Sequence, residues 1–124
     1  MIDHVTIAVN DPERSKTFYE KAFAPLGYTI AFGEKNAFWS FDIGNGLFEF
    51  QKSDESRPTR VHVAFRVKSK EQVDSFYKSA LAAGARDNGA PGLRPDYGKN
   101  YYACFVLDPD GHNIEAVFDA VNSN

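Results

Sequence analysis

The stretches IDHVTIAV (residues 2–9) and VHVAFRV (residues 61–67) decide how this chain folds. Both alternate with the two-residue period of a β-strand. In the first, Val5, Ile7 and Val9 share one face, while Ile2, His4, Thr6 and Ala8 share the other. In the second, Val61, Val63, Phe65 and Val67 face one way, and His62, Ala64 and Arg66 the other. Each strand thus has one face suited to a core and an opposite face that carries a histidine.

A helix is expected after each strand. Asp11 can cap the first and Pro12 suits its opening turn, and Phe18, Tyr19, Ala22, Phe23 and Leu26 recur at helical spacing before Gly27. Ser69 and Gln72 form a capping box for the second, whose apolar stripe is Val73, Phe76, Tyr77, Ala80 and Leu81, ending near Gly84. Beyond the first helix, YTIAF, AFWSFDI and LFEFQ read as three strands broken by Gly33 and by the Gly44-Asn45-Gly46 turn. Beyond the second, YYACFVL and NIEAVF read as strands, and a further one is expected between Gly84 and Tyr101. The order βαβββ therefore occurs twice. His4 recurs as His62 and Phe18-Tyr19 as Phe76-Tyr77, both 58 positions later, which marks a duplicated module.

These readings predict an α+β fold, a single domain over 1–124, with module 1 at residues 1–54 and module 2 at 60–120 forming a cleft. The segment KSDESRPT is the solvated link between them. The irregular stretch from Arg86 to Lys99 is either a binding loop or an ordinary surface loop with one poor strand.

Composition narrows the function. With 124 residues, 43% hydrophobic and 15% aromatic, the chain can build a real core. Its net charge of −3 gives no broad basic field for nucleic acid or anionic lipid. The opening MIDHVTIAV has no basic leader and no membrane-length apolar run follows, so a cytoplasmic location is expected. Cys104, the single cysteine, is expected to be a small buried thiol, with neither a disulfide partner nor a thiolate cluster around it.

The polar strand faces carry the chemistry. Each module places one histidine early and one glutamate late on the face opposite its apolar residues: His4 with Glu49, then His62 with Glu115. Glu49 stands between Phe48 and Phe50, and Glu115 between Ile114 and Ala116, so both carboxylates point away from apolar strand neighbours. Two imidazoles and two carboxylates with room for water suit zinc, nickel, cobalt, manganese or iron(II) better than calcium. Arg66 and Arg94 are candidates to hold a substrate carboxylate, with Tyr97, Tyr101, Tyr102, Phe38 and Trp39 offering stacking surface. His112, in the DPDGHN turn, reads as a turn residue.

IDHVTIAVNDPERSKTFYEKAFAPLGY, VHVAFRV and FVLDPDGHNIEAV together resemble the vicinal oxygen chelate superfamily, the glyoxalase/bleomycin-resistance/dioxygenase group. The resemblance implies two βαβββ modules, a homodimer, and metal positions at His4, Glu49, His62 and Glu115. Three functions are compatible with it. A metal-dependent lyase or isomerase of the glyoxalase type would use all four ligands, with Glu115 or Glu49 moving a proton on a small substrate with vicinal oxygens. An iron(II) dioxygenase or thiol transferase would need only His4, His62 and Glu115. A sequestering protein would bind a small molecule without chemistry.

Overall fold

The computed structural model describes residues 2–120; residue 1 and residues 121–124, the outer ends of the expected domain, lie outside the described residues. The first alternating segment forms strand β1 (His4–Val9), with Ile7 and Val9 buried and His4 and Thr6 exposed. Helix α1 (Pro12–Phe23) begins where Asp11 accepts hydrogen bonds from the Glu13 and Arg14 backbone N–H groups. Such a cap satisfies donors the helix cannot pair and contributes about 1 kcal/mol. A 3-10 turn over Ala24–Leu26 carries the chain to Gly27, whose φ of 76° is the left-handed stop that glycine permits.

Strands β2 (Thr29–Glu34), β3 (Phe38–Asp42) and β4 (Leu47–Lys52) complete the first module. Gly33 does not break a strand as the sequence led us to expect. It lies within β2, opposite Trp39, where an added Cβ would come within 2.3 Å of the indole. The glycine admits a close packing contact, and the turn comes after it, where Asn36 takes a φ of 66°.

The second module repeats the order: β5 (His62–Arg66), α2 (Lys70–Ala82), β6 (Arg86–Leu93), β7 (Tyr101–Leu107) and β8 (Asn113–Asp119). Ser69 Oγ accepts from the Gln72 N–H as expected, but the Gln72 side chain accepts from the Lys68 N–H, one residue before the cap. The uncertain stretch after Gly84 yields a full strand, β6. Its register slips between Asp87 and Gly92, and it lies at a sheet edge, where Pro91 is tolerated.

Each module is a four-stranded sheet, in the orders β1-β4-β3-β2 and β5-β8-β7-β6. β1 runs parallel to β4 and β5 parallel to β8, and the other neighbours are antiparallel. The helices pack against each other over one continuous core. Phe23 of α1 lies 5.2 Å from the Phe65 ring and 6.3 Å from Phe76, and Phe48 lies 5.2 Å from Phe65. Aromatic rings thus join the modules on the helix side, leaving the histidine-bearing sheet faces turned away from this core.

The turn before β8 supplies a second joint. Tyr19 donates to Asp108 at 2.6 Å, and Asp110 accepts from the Asn10 N–H and from Arg14. His112 corrects its sequence reading: it is fully buried and bridges the modules. Its Nδ1 accepts from the Val61 N–H at 3.1 Å and its Nε2 donates to the Ala8 carbonyl at 2.7 Å. Cys104 is buried as expected, and burial pushes its thiol up to about 12. No described helix is long and apolar enough to cross a membrane.

Candidate functional site

In module 2 the strand register sets Ala64 beside Glu115, and Glu115 beside Phe105, on the face opposite α2. His62 precedes Ala64 by two residues and shares that face. Because Ala64 has only a methyl group, nothing on the neighbouring strand competes for the carboxylate, and Glu115 Oε1 lies 3.0 Å from His62 Nε2. Tyr101 donates its hydroxyl hydrogen to the other oxygen, Oε2. The carboxylate is 4% exposed and the imidazole 48%, so one partner is fixed and the other reaches solvent.

His62 Nδ1 faces the Asn113 carbonyl at 2.9 Å, and a carbonyl only accepts, so Nδ1 carries a hydrogen. Tyr101 supplies the proton on the Oε2 side. The second ring nitrogen, Nε2, faces Glu115 Oε1. Burial, and then the hydrogen bond to Glu115, holds Tyr101 well above the ordinary tyrosine range, so it stays a donor.

Module 1 places the equivalent groups differently. Thr6 stands where module 2 has Ala64, and its hydroxyl donates to Glu49 Oε1 at 3.1 Å. His4 Nδ1 lies 2.8 Å from Asp3, a contact that raises the imidazole's pKa above 6.5. Glu49 and His4 are therefore each held by a local neighbour rather than by one another. Among the described residues, no three His, Cys, Asp or Glu side chains are gathered closely enough to hold a metal between them.

The donor chemistry of module 2 nevertheless fits a divalent metal. A metal-ligating histidine ordinarily donates its second N–H to a carbonyl or carboxylate, as His62 does to Asn113. His62 Nε2 and Glu115 Oε1, 3.0 Å apart, set a nitrogen and an oxygen donor side by side. His4 and Glu49 are likewise each held through one atom. The module 2 histidine and glutamate are in contact with each other, and the module 1 pair stands apart from them.

Other expected site residues divide by face. Arg94 lies over the Phe105 ring at 5.4 Å, and Phe105 faces His62 at 6.1 Å, so all three line one wall. Tyr97 packs edge-on against Tyr101, and the Arg66 charge is felt at Tyr101. Tyr102 is not part of this wall. Its hydroxyl donates to Asp74 of α2 at 2.6 Å, a contact that pushes it up to about 12, so it belongs to the helix side. Trp39 is also on the helix side, donating to Glu13 under Lys16. The sequence reading gave Tyr101 only as stacking surface. Tyr101 stands four residues before Phe105 on β7 and so shares the face of Phe105 and its partner Glu115, which becomes visible only once the β7–β8 register is known.

The family model of the Glyoxalase/Bleomycin resistance protein/Dioxygenase superfamily matches residues 1–116. The chain belongs to this superfamily. It is similar to a glyoxalase/bleomycin resistance protein from Albidiferax ferrireducens T118, with 30% identity, a TM-score of 0.83, and 95% of this chain and 98% of that one covered. A glyoxalase-related enzyme from Fulvimarina pelagi shares the fold at 22% identity and TM-score 0.78, covering 98% of this chain and 89% of its own. A lactoylglutathione lyase from Agrobacterium tumefaciens shares it at 16% identity and TM-score 0.75, with 100% and 97% covered.

Proposed function

We propose that the chain is a glyoxalase-type lyase or isomerase that moves a proton on a small substrate with vicinal oxygens, with Glu115 as the group that takes and returns it. The observation that carries this reading is the 3.0 Å contact between His62 Nε2 and Oε1 of the 4% exposed Glu115 carboxylate. A substrate oxygen that takes over the His62 hydrogen bond frees Oε1 to accept a proton from the carbon beside a carbonyl. The C–H electron pair then moves into the carbonyl, giving an enediolate; the hydroxyl proton passes to the former carbonyl oxygen, and Glu115 returns its proton to the former carbonyl carbon. Atoms balance without an oxidant. Tyr101, fixed on Oε2, aims the free oxygen, and Arg94 over Phe105 walls the site.

A divalent zinc, nickel, cobalt, manganese or iron ion would be held first by His62 and Glu115, with His4 and Glu49 as the second pair. It would supply Lewis acidity toward the two substrate oxygens. We place Glu49 as the alternative proton carrier, and a homodimer as the assembly in which the two pairs are brought together. The test is turnover of the hemithioacetal of methylglyoxal by protein loaded with nickel or zinc. Glu115→Gln should lower kcat at least about 100-fold, and His62→Ala should sharply reduce metal content while leaving the fold intact. No turnover with any metal or thiol removes the proposal.

One observation favours a second reading, a binding protein without chemistry: both Glu115 oxygens already have partners within the chain. Retained affinity for a small aromatic ligand after chelation, with no turnover, would select it.

A further inference from the structure

Where the modules meet beyond Arg66 lies a cavity of about 540 Å³. Thr29, Asp42, Asn45, Arg66, Lys68 and Gln72 supply its polar wall. We propose that this cavity binds a carboxylate or phosphate group, and that this group is the anionic end of the substrate. Only the word substrate rests on the function proposed above; the anion site stands on its own observations.

Arg66 and Lys68 both line the cavity, and neither forms an ion pair among the described residues. Two cations on one wall repel each other, and an anion between them removes that repulsion while gaining charge-assisted hydrogen bonds. The counter-charge available locally is Asp42, whose carboxylate is already engaged by the Gly44 N–H. One carboxylate against two cations leaves the wall net positive. The amino end of α2 opens at the same wall, through Lys68 and Gln72, and adds its positive dipole end. Asn45 and Thr29 offer neutral donors, so the site can orient an anion as well as attract it.

Arg66 connects this cavity to the Glu115 wall. It follows Ala64 by two positions on β5, on the same face, and its charge acts on Tyr101. Arg66 is thus the residue that the cavity and the Glu115 wall have in common. The volume lies within the range of about 300–1,000 Å³ usual for small-molecule sites.

The test is a backbone-amide NMR titration of the full chain with inorganic phosphate and, separately, malonate, each at constant ionic strength against sodium chloride. Saturable shifts at Gly27, Gly44 and Lys68 are expected with at least one anion, and none with glycerol. Arg66→Met and Lys68→Met should each weaken binding about tenfold, and Asp42→Asn should strengthen it. Response to phosphate alone or malonate alone identifies the group taken. No saturable shift with either, or shifts that survive both methionine substitutions, overturns the site. His62→Ala should keep anion binding, so failure of the proton-transfer reading and failure of this site register separately.

Discussion

Thr6 and Ala64 occupy equivalent places in the duplicated module, and a hydroxyl at one of them separates two fates for a carboxylate. Thr6 occupies Glu49, whereas Ala64 leaves Glu115 to His62 and Tyr101. The pairing of His4 with Glu49 and of His62 with Glu115 on common faces was legible in the sequence, because strand period alone fixes it. Which neighbour would capture each side chain was not, since that depends on cross-strand register. Tyr101→Phe should cost about 1–3 kcal/mol in denaturant unfolding, because a buried carboxylate oxygen loses its donor. A change indistinguishable from zero would mean that water replaces the tyrosine.

Asp108 gives a pH dependence with a definite sign. Burial, outweighing its hydrogen bonds, raises its pKa above 3.8. A raised folded-state value means that the fold binds this proton more tightly than the unfolded chain does. The associated stability is fully present below the unfolded value and is lost as pH rises through the folded one. Asp108→Asn removes that loss. The melting temperature of the variant relative to wild type should therefore climb as pH rises above the unfolded carboxylate range of about 4. A flat difference would show that the carboxylate is not desolvated.

Among the elements, both helices and their caps could be read in advance, since Asp11 and Ser69 act locally on the backbone that follows them. Strand edges were harder. Gly33 looked like punctuation and is a packing contact, because the ring that requires it comes from the next strand. Gly33→Ala should destabilise by roughly 1–3 kcal/mol through overpacking against Trp39. The double variant Gly33→Ala, Trp39→Leu should recover part of that loss if the indole is the cause. β6 was hard to see because its register slips and its Gly-Pro content dilute the alternation that marks β1 and β5.

For the whole molecule, the duplication foretold two modules, while the way they join was hidden in side chains with no periodicity. The core joint is aromatic: Phe18 is 2% and Phe76 0% exposed. Replacing either with Ala should cost roughly 3 kcal/mol or more, read as a fall in unfolding free energy. The second joint is polar. His112→Ala removes a fully buried ring and takes a partner from the Val61 N–H and the Ala8 carbonyl, and should cost roughly 3 kcal/mol. His112→Asn, able to restore one of the two bonds, should fall between.

The strand orders also set a timetable for synthesis. In each sheet the last strand to be made is not at an edge but second in line, between the first strand and the third. Module 1 can close its sheet once residue 52 has emerged, whereas module 2 waits for β8 at residues 113–119. Until then β5 has no partner, and the Ala8 carbonyl of the finished first module has no His112 to cap it. A nascent chain halted near residue 105 would thus present a finished first module followed by β5, a strand whose parallel neighbour has not yet been made.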